Sequence, residues 1–363
     1  MVPTVNVTKL RIMCLSNMYP GPENPDYGAF VEAMCAALER AGHDVERVAI
    51  SSRSHGPLHT PAKYAGLARR ALMRTREVDV IYAHYLFPTG AVAAACGRLL
   101  GRPWVVTAHG RDVRNLRSPR IRGATGAVLA GASSVICVSR YLAAELRASG
   151  IALPPVRIAS MGVDLQRFHP MDRTQARARL GLSNEPTVLA VGGLTERKNP
   201  LRLLQAFTRI RDHHRGARLA FVGDGPLAGA LRSGAGRLGL AGSVVMPGAL
   251  QNTDVADWMA AADVLAIPSL VEPLGVVALE ALASGRPVAA TRIGGAAEVV
   301  GRAGALVDPL DPGSIARGVL ALLADPPSVE TCRTAAAAHS VDRQALRVAE
   351  VLAAATHHRP RHH

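Results

Sequence analysis

At 363 residues, 48% of them hydrophobic, the chain has length for about two domains and enough apolar side chains to fill their cores. Aromatic residues make up only 4%, which argues against an aromatic-lined platform for single-stranded nucleic acid; no nucleic-acid partner is expected. The formal charge of +14 rests on 42 basic residues, only three of them lysines (Lys9, Lys63, Lys198), a skew toward arginine that says little about a partner. Its distribution says more: residues 1–168 hold 21 basic and 11 acidic side chains, net +10, against net +4 for the rest. A basic first half suits an anionic acceptor or an anionic membrane face. Five scattered cysteines without a CxxC pair read as reduced thiols of a cytoplasmic protein with no zinc site. There is no signal-peptide pattern, and no apolar run reaches the roughly 18–20 residues of a membrane span. The expectation is a soluble cytoplasmic protein, with peripheral contact at the inner membrane face left open.

The first half alternates strands and helices. Residues 10–15 read as a buried strand, 16–28 as a Pro/Gly loop (SNMYPGPENPDYG), 29–41 as a helix closed by Gly42, and 43–50 as the next strand. Ligands of such βαβ units gather at the carboxyl ends of the strands. Further strands are predicted over 78–84, 103–109, 134–139 and 156–160, with helices over 89–100 and 140–150. His84 and His109 each end a buried strand, and His109 is followed by Gly110. A lone histidine is usually structural, but this edge is where sites form. Arg111, Arg114, Arg117 and Arg120 recur every third residue, with Arg122 beyond. As one helix they would wind a basic stripe, either a solvated face or a dock for a phosphate-bearing lipid acceptor. The polar stretch 169–185 reads as a linker.

In the second half, residues 187–191 read as a strand, followed by GGLTERKNP. Asn199 is a suitable N-cap and Pro200 a suitable first residue for a helix to about 214. Arg197 and Lys198 would then stand at a helix N-terminus, where two cations and the dipole favour phosphate. A glycine turn at 223–226 lacks the full GxGxxG spacing of a dinucleotide fingerprint. After a short strand at 264–267 comes the segment SLVEPLGVVALEALASGRPVAATRIGGAAEVV. Gly275 permits a tight turn, and the helix behind it offers free N–H groups to an anion. Glu280 interrupts an apolar run about one and a half turns into that helix, too deep for a cap, and a buried acid needs a partner. Diphosphate at the helix start, sugar hydroxyls on Glu272 and ribose hydroxyls on Glu280 would satisfy each part. A last strand is predicted at 304–308, with helices at 315–324 and 331–355.

Glu272 and Glu280, the string at 281–288, Gly294-Gly295 and Glu298, taken in order, resemble the signature of glycosyltransferase family 4, the retaining transferases of GT-B fold. HGRDV at 109–113 resembles the family's His-Gly-x-Asp motif, and residues 161–164 its GVD turn. The loop at 16–28 resembles the acceptor loop, nearest in look to the bacterial teichuronic-acid and exopolysaccharide enzymes. Two departures stand out: Tyr27-Gly28 replaces a glycine pair, and Gly193 occupies the place of the family's first arginine, while Lys198 matches the family lysine.

The resemblance implies an α/β GT-B chain of two Rossmann-like domains, each with a parallel sheet, facing an interdomain cleft. Residues 1–168 would bind acceptor and 169–340 the nucleotide sugar. The tail, 341–363, would be a helix crossing back to the first domain, with a disordered end. The implied reaction moves a hexosyl unit from a nucleotide diphosphate sugar, UDP-linked in this reading, to a hydroxyl with anomeric retention. The acceptor is a lipid-linked glycan or a small natural product such as an aminocyclitol, and an anionic acceptor is left open. No metal and no cofactor are expected. By the resemblance His109, Glu272 and Lys198 are catalytic. Gly193, Arg197, Lys198, Gly223, Leu250, Glu272, Leu274, Gly275, Val276 and Glu280 hold the donor; Tyr19, Gly28, His84 and Asp112 meet the acceptor. The alternatives are a GT-B sugar-nucleotide 2-epimerase and a non-catalytic nucleotide-sugar-binding protein. A pyridoxal-dependent phosphorylase would need a late lysine, and none follows Lys198. A NAD-dependent oxidoreductase would need the missing glycine fingerprint.

Overall fold

The computed structural model describes residues 8–21, 27–52, 59–74 and 77–357. It divides into two compact units, residues 1–162 with 341–363, and residues 163–340. The division falls short of the expected 168/169, because the turn at Gly162 packs on the backbone of Val341, where a Cβ would lie 2.5 Å from its Cα. Part of the loop at 16–28 (residues 22–26) and the histidine-rich end beyond 357 lie outside the described residues.

The first unit is built on six parallel strands: β1 (Arg11–Ser16), β2 (Asp44–Ala49), β3 (Val80–His84), β4 (Trp104–Ala108), β5 (Ser134–Cys137) and β6 (Val156–Ile158), in the order β2-β1-β3-β4-β5-β6. Its central strands are apolar along their whole length because helices cover both faces, and β3 and β4 are buried at every residue. In this unit the sequence reading has no counterpart for the helix His59–Arg74. The last helix, Val341–His357, packs in this unit against the helix Ala29–Arg40. Its buried Gln344 accepts the Ser160 N–H at 3.1 Å, and Asp342 pairs with Arg40 at 2.6 Å.

The second unit holds β7 (Thr187–Val191), β8 (Arg218–Val222), β9 (Val244–Gly248), β10 (Val264–Ile267), β11 (Val288–Thr291) and β12 (Gly304–Val307), also all parallel, in the order β12-β11-β10-β7-β8-β9. Counted from its own first strand and read from the β9 edge, this is the 3-2-1-4-5-6 order of a Rossmann sheet, reversing direction between β7 and β10. Its core gathers Leu203, Phe207 and Ile210 from the helix Pro200–His213 against Leu219 and Phe221 of β8.

Three expectations are corrected. The expected linker contains a helix, Arg173–Leu180, capped by Asp172 and anchored by Arg177, which donates to Asp263 at 2.6 Å and to the Ala261 carbonyl at 3.0 Å. The arginine run is not one stripe: a helix over Arg111–Arg114 and a 3-10 turn over Asn115–Arg117 end at extended Ser118, and Pro119 starts a new helix to Leu129. Proline permits this break because it needs no N–H partner at a helix start. Residues 244–250, where Pro247 and Gly248 suggest a loop resembling the family's base-wrapping loop, instead begin with edge strand β9, and the loop starts only at Ala249.

Candidate active site

The loops after β7 and β10 meet because those strands are neighbours at the point where the sheet reverses. The Lys198 ammonium donates to Oε2 of Glu272 at 2.7 Å, and the Ser269 hydroxyl donates to the same oxygen at 2.9 Å. Arg197 stands 3.9 Å from it and donates to the Val271 carbonyl at 3.2 Å. Burial by itself would raise the Glu272 carboxyl; Lys198, then Arg197 and Ser269, outweigh it and hold the group below its ordinary value. Glu272 is thus an ionised, nearly enclosed acid in a cluster of cations. Ser269 was not singled out from sequence. Its signal was available: a hydroxyl at a strand end, three residues before the acid.

Backbone geometry holds Glu272 in place. Gly294, with φ +119°, passes so close that a Cβ would lie 2.2 Å from the Glu272 carbonyl oxygen. Glu272 and Gly294 form a parallel bridge, and the Gly295 N–H donates to the Glu272 carbonyl at 2.8 Å. Only glycine combines that dihedral with that approach.

Gly275 (φ +83°) turns the chain into the helix Val276–Ala283. Among the described residues the N–H groups of Gly275, Val276 and Val277 donate to no backbone carbonyl, as at any helix start. A cavity here is lined by Gly192, Gly193, Lys198, Ser269, Glu272 and Gly275, among others. Arg197, Gly223, Leu250, Leu274, Val276 and Glu280 lie outside that lining. Leu274 is buried. Gly223 (φ +142°) is a packing glycine: a Cβ would lie 2.1 Å from the Gly192 oxygen. Gly193 leaves room, with its nearest neighbour 3.7 Å from an added Cβ.

Asn199 stands at the expected N-cap position before Pro200, but its side chain does not cap the helix. Its backbone is left-handed (φ 56°), which aims the side chain away from the helix, and its amide donates to the carbonyls of Pro268 (3.2 Å) and Pro309 (2.7 Å). It ties the loop after β7 to those after β10 and β12. Glu280 is half-buried, and its carboxyl makes no hydrogen bond or ion pair among the described residues. Burial pushes that carboxyl up to about 7, against weaker opposition from Arg167 and Lys198.

In the first unit, β3 and β4 pair with His84 opposite Thr107, so the residues ending them are adjacent. His84 Nδ1 and His109 Nε2 lie 3.1 Å apart, the ring planes inclined by 28°. Tyr85 and Phe30 close around His109, ring centroids 4.8 and 5.2 Å away. His84 is fully buried, which corrects its expected contact with acceptor: it backs His109 instead. Asp112 is buried too. Its carboxylate accepts the N–H groups of Leu86, His109, Gly110 and Val113 at 2.8–3.3 Å, so it shapes the loop in place of the direct ligand contact expected of it. Gly28 (φ +77°) starts the helix Ala29–Arg40, and a Cβ would lie 2.5 Å from the Met18 carbonyl. Tyr19 is half-buried, its hydroxyl pushed up to about 12 by burial, with Cys35 and Arg47 in its surroundings. Among the described residues no group of three or more His, Cys, Asp or Glu could hold a metal ion. No described helix is long and apolar enough to cross a membrane.

Two six-stranded parallel sheets with helices, one carrying an ion pair beside a helix start at its reversal point, define a chain of GT-B fold. Comparison with known proteins agrees. Residues 28–167 match the model described as Glycosyltransferase Family 4, and residues 185–325 the one described as Glycosyl transferases group 1. D-inositol 3-phosphate glycosyltransferase 1 of Catenulispora acidiphila is 35% identical over 288 residues, spanning 73% of this chain and 68% of the relative. A GDP-mannose-dependent alpha-(1-6)-phosphatidylinositol monomannoside mannosyltransferase of Mycolicibacterium smegmatis is 32% identical, covering 71% and 70%. TuaC of Bacillus subtilis, named for teichuronic acid biosynthesis, is 28% identical, covering 81% and 84%. Among solved structures, sucrose-phosphate synthase of Thermosynechococcus elongatus superposes with a TM-score of 0.77 at 23% identity, covering 94% of this chain and 98% of its own. Anabaena HepE, solved with UDP-glucose, gives 0.75 at 23%, covering 94% and 99%. The chain belongs to the family 4 glycosyltransferases and is a glycosyltransferase of GT-B fold.

Proposed function

We propose that the protein transfers a hexosyl unit from a nucleotide diphosphate sugar to a hydroxyl acceptor, with retention at the anomeric carbon and without metal or cofactor. The observation that carries this reading is the Lys198–Glu272 pair beside the free N–H groups at Gly275. The bond from the anomeric carbon to the diphosphate oxygen breaks, and the electron pair leaves with the diphosphate. The helix start, Lys198 and Arg197 stabilise that growing charge. The acceptor oxygen bonds to the same face, and its proton passes to the departing phosphate oxygen. Glu272 orients the sugar and stabilises positive charge at the ring. Glu280, an acid without a partner among the described residues, takes the ribose hydroxyls. His109 meets a substrate hydroxyl.

We assign a UDP-linked donor first. The names of relatives support a wider panel: one is GDP-mannose-dependent, while HepE was solved with UDP-glucose. For the acceptor, relatives named for inositol 3-phosphate and a phosphatidylinositol monomannoside support a cyclitol hydroxyl, free or lipid-borne, with phosphate nearby. The net +10 of the first 168 residues suits that charge and contact with an anionic membrane face. The test is a panel of UDP- and GDP-hexoses against inositol phosphates, aminocyclitols and lipid-linked glycans, read by mass spectrometry, with product stereochemistry by NMR. A glycoside of retained configuration is expected. Free nucleotide with no glycoside points to an epimerase, and binding with no turnover to a binding protein.

A further inference from the structure

We infer that His84 is a positioning residue that fixes His109 as an Nδ1–H donor toward a substrate oxygen. The inference rests on the reading above that His109 meets substrate. Its observations are the 3.1 Å contact between His84 Nδ1 and His109 Nε2, the complete burial of His84, and the absence of any partner for His84 Nε2 among the described residues.

The pair shares one proton along that contact, so two neutral arrangements exist. In one, His109 Nε2–H donates to His84 Nδ1, and His84 then carries its hydrogen on Nε2, a buried donor with no acceptor. In the other, His84 Nδ1–H donates to His109 Nε2, and the unpartnered His84 Nε2 is a bare lone pair. Orphaned buried N–H donors are rarer in proteins than under-used acceptors, so the second arrangement is the stable one. A third arrangement, an imidazolium, is disfavoured because burial lowers the proton affinity of both rings, and His109 further opposes charge on His84. Tyr82 and Tyr85 flank the pair, and the carboxylate beside it, Asp112, is committed to backbone N–H groups.

With Nε2 of His109 occupied as acceptor, its hydrogen sits on Nδ1, the ring nitrogen left without a partner among the described residues. The bond made by one ring nitrogen sets the role of the other. His109 is therefore a neutral hydrogen-bond donor, suited to hold an oxygen acceptor atom, and not a general base. Phe30 and Tyr85 pack against the ring, tilted by 46° and 35°.

The direct test is imidazole 15N spectroscopy of the 15N-histidine-labelled full chain, with His109 assigned by comparison with His109→Gln. Protonated Nδ1 and bare Nε2 on His109 are expected; a protonated Nε2 on His109 overturns the inference. A second arm measures turnover. His84→Leu should lower kcat about 10–100-fold with little change in KM for donor, the range for losing the partner that orients a functional imidazole. His84→Asn places an amide N–H where Nδ1 stands, and should keep the His109 tautomer and most of the activity. A folded His84→Leu with parental turnover overturns the positioning role. If His84→Leu does not fold, the spectrum of the parent and the His84→Asn rates decide. Should His109 show the expected tautomer while His109→Ala turns over normally, the substrate role of His109 in the proposed function fails, and the positioning role fails with it.

Discussion

Lys198→Ala removes the nearest cation from an acid that is 9% exposed. Removing one partner of a buried ion pair costs about 3–5 kcal/mol, because the other charge stays desolvated. Two features of this site reduce that figure. Ser269 still donates to Oε2, and Arg197 lies 3.9 Å away, able to move closer. With about 1 kcal/mol recovered from the retained hydrogen bond and a similar share from Arg197, the expected loss is about 1–3 kcal/mol at neutral pH. The sign with pH is specific. In the parent, Glu272 is held below its ordinary value, so its contribution is present above the unfolded carboxyl range and is lost as pH falls through the folded value. In Lys198→Ala burial dominates, the carboxyl rises above its ordinary value, and protonation on acidification relieves the strain. The stability gap between variant and parent should thus narrow from pH 7.5 to pH 5, measured by urea unfolding, and stop varying with pH when Glu272→Gln is added. Turnover should fall about 10²–10³-fold, as for loss of one preorganised group facing developing charge. Arg197→Ala should lose less, the double variant nearly everything, and Gly193→Arg, which has room, should restore part of the Lys198→Ala loss. A folded Lys198→Ala with parental stability at pH 7.5 and parental turnover would refute the reasoning.

Glu280→Ala should weaken donor binding by about 1–3 kcal/mol in calorimetry, the cost of one charged hydrogen-bonding partner. Because burial pushes the Glu280 carboxyl up to about 7, donor affinity should rise from pH 6 to pH 8 as the carboxylate forms, and Glu280→Gln should flatten that rise; equal pH dependence in both proteins would remove Glu280 from the donor site. Extensive EDTA treatment should leave turnover intact, and a loss restored by manganese or magnesium would sink the metal-free mechanism. Gly294→Ala should cost about 1–3 kcal/mol from the left-handed dihedral alone, more from the 2.2 Å approach to the Glu272 carbonyl, and should lower turnover by displacing Glu272. A fully stable, fully active Gly294→Ala would show that the bridge to Glu272 is dispensable.

The alternation of short apolar strands with helices was enough to read two parallel sheets, because strands buried on both faces must be apolar throughout and the turns between them are written in glycine and proline. Strands 187–191 and 264–267 and the helix 89–100 appear with their predicted bounds. Glu272, Glu280 and Gly275 were legible because an acid within an apolar run and a glycine before a helix each break a local pattern. What local pattern cannot carry is which loops become neighbours. Lys198 and Glu272 are 74 residues apart, and only the strand order that sets β7 beside β10 makes them an ion pair. Gly294 reads as a turn glycine until its approach to the Glu272 carbonyl is seen. Asn199 has the chemistry of an N-cap, but carbonyls from two distant loops outcompete its own helix. His84 looks like a ligand residue from its position at a strand end, and Asp112 from its place in the HGRDV motif; burial turns one toward His109 and the other toward backbone N–H groups. Side-chain roles of this kind depend on what the sheet topology brings within hydrogen-bond distance, and that is a property of the packed chain and not of any one segment.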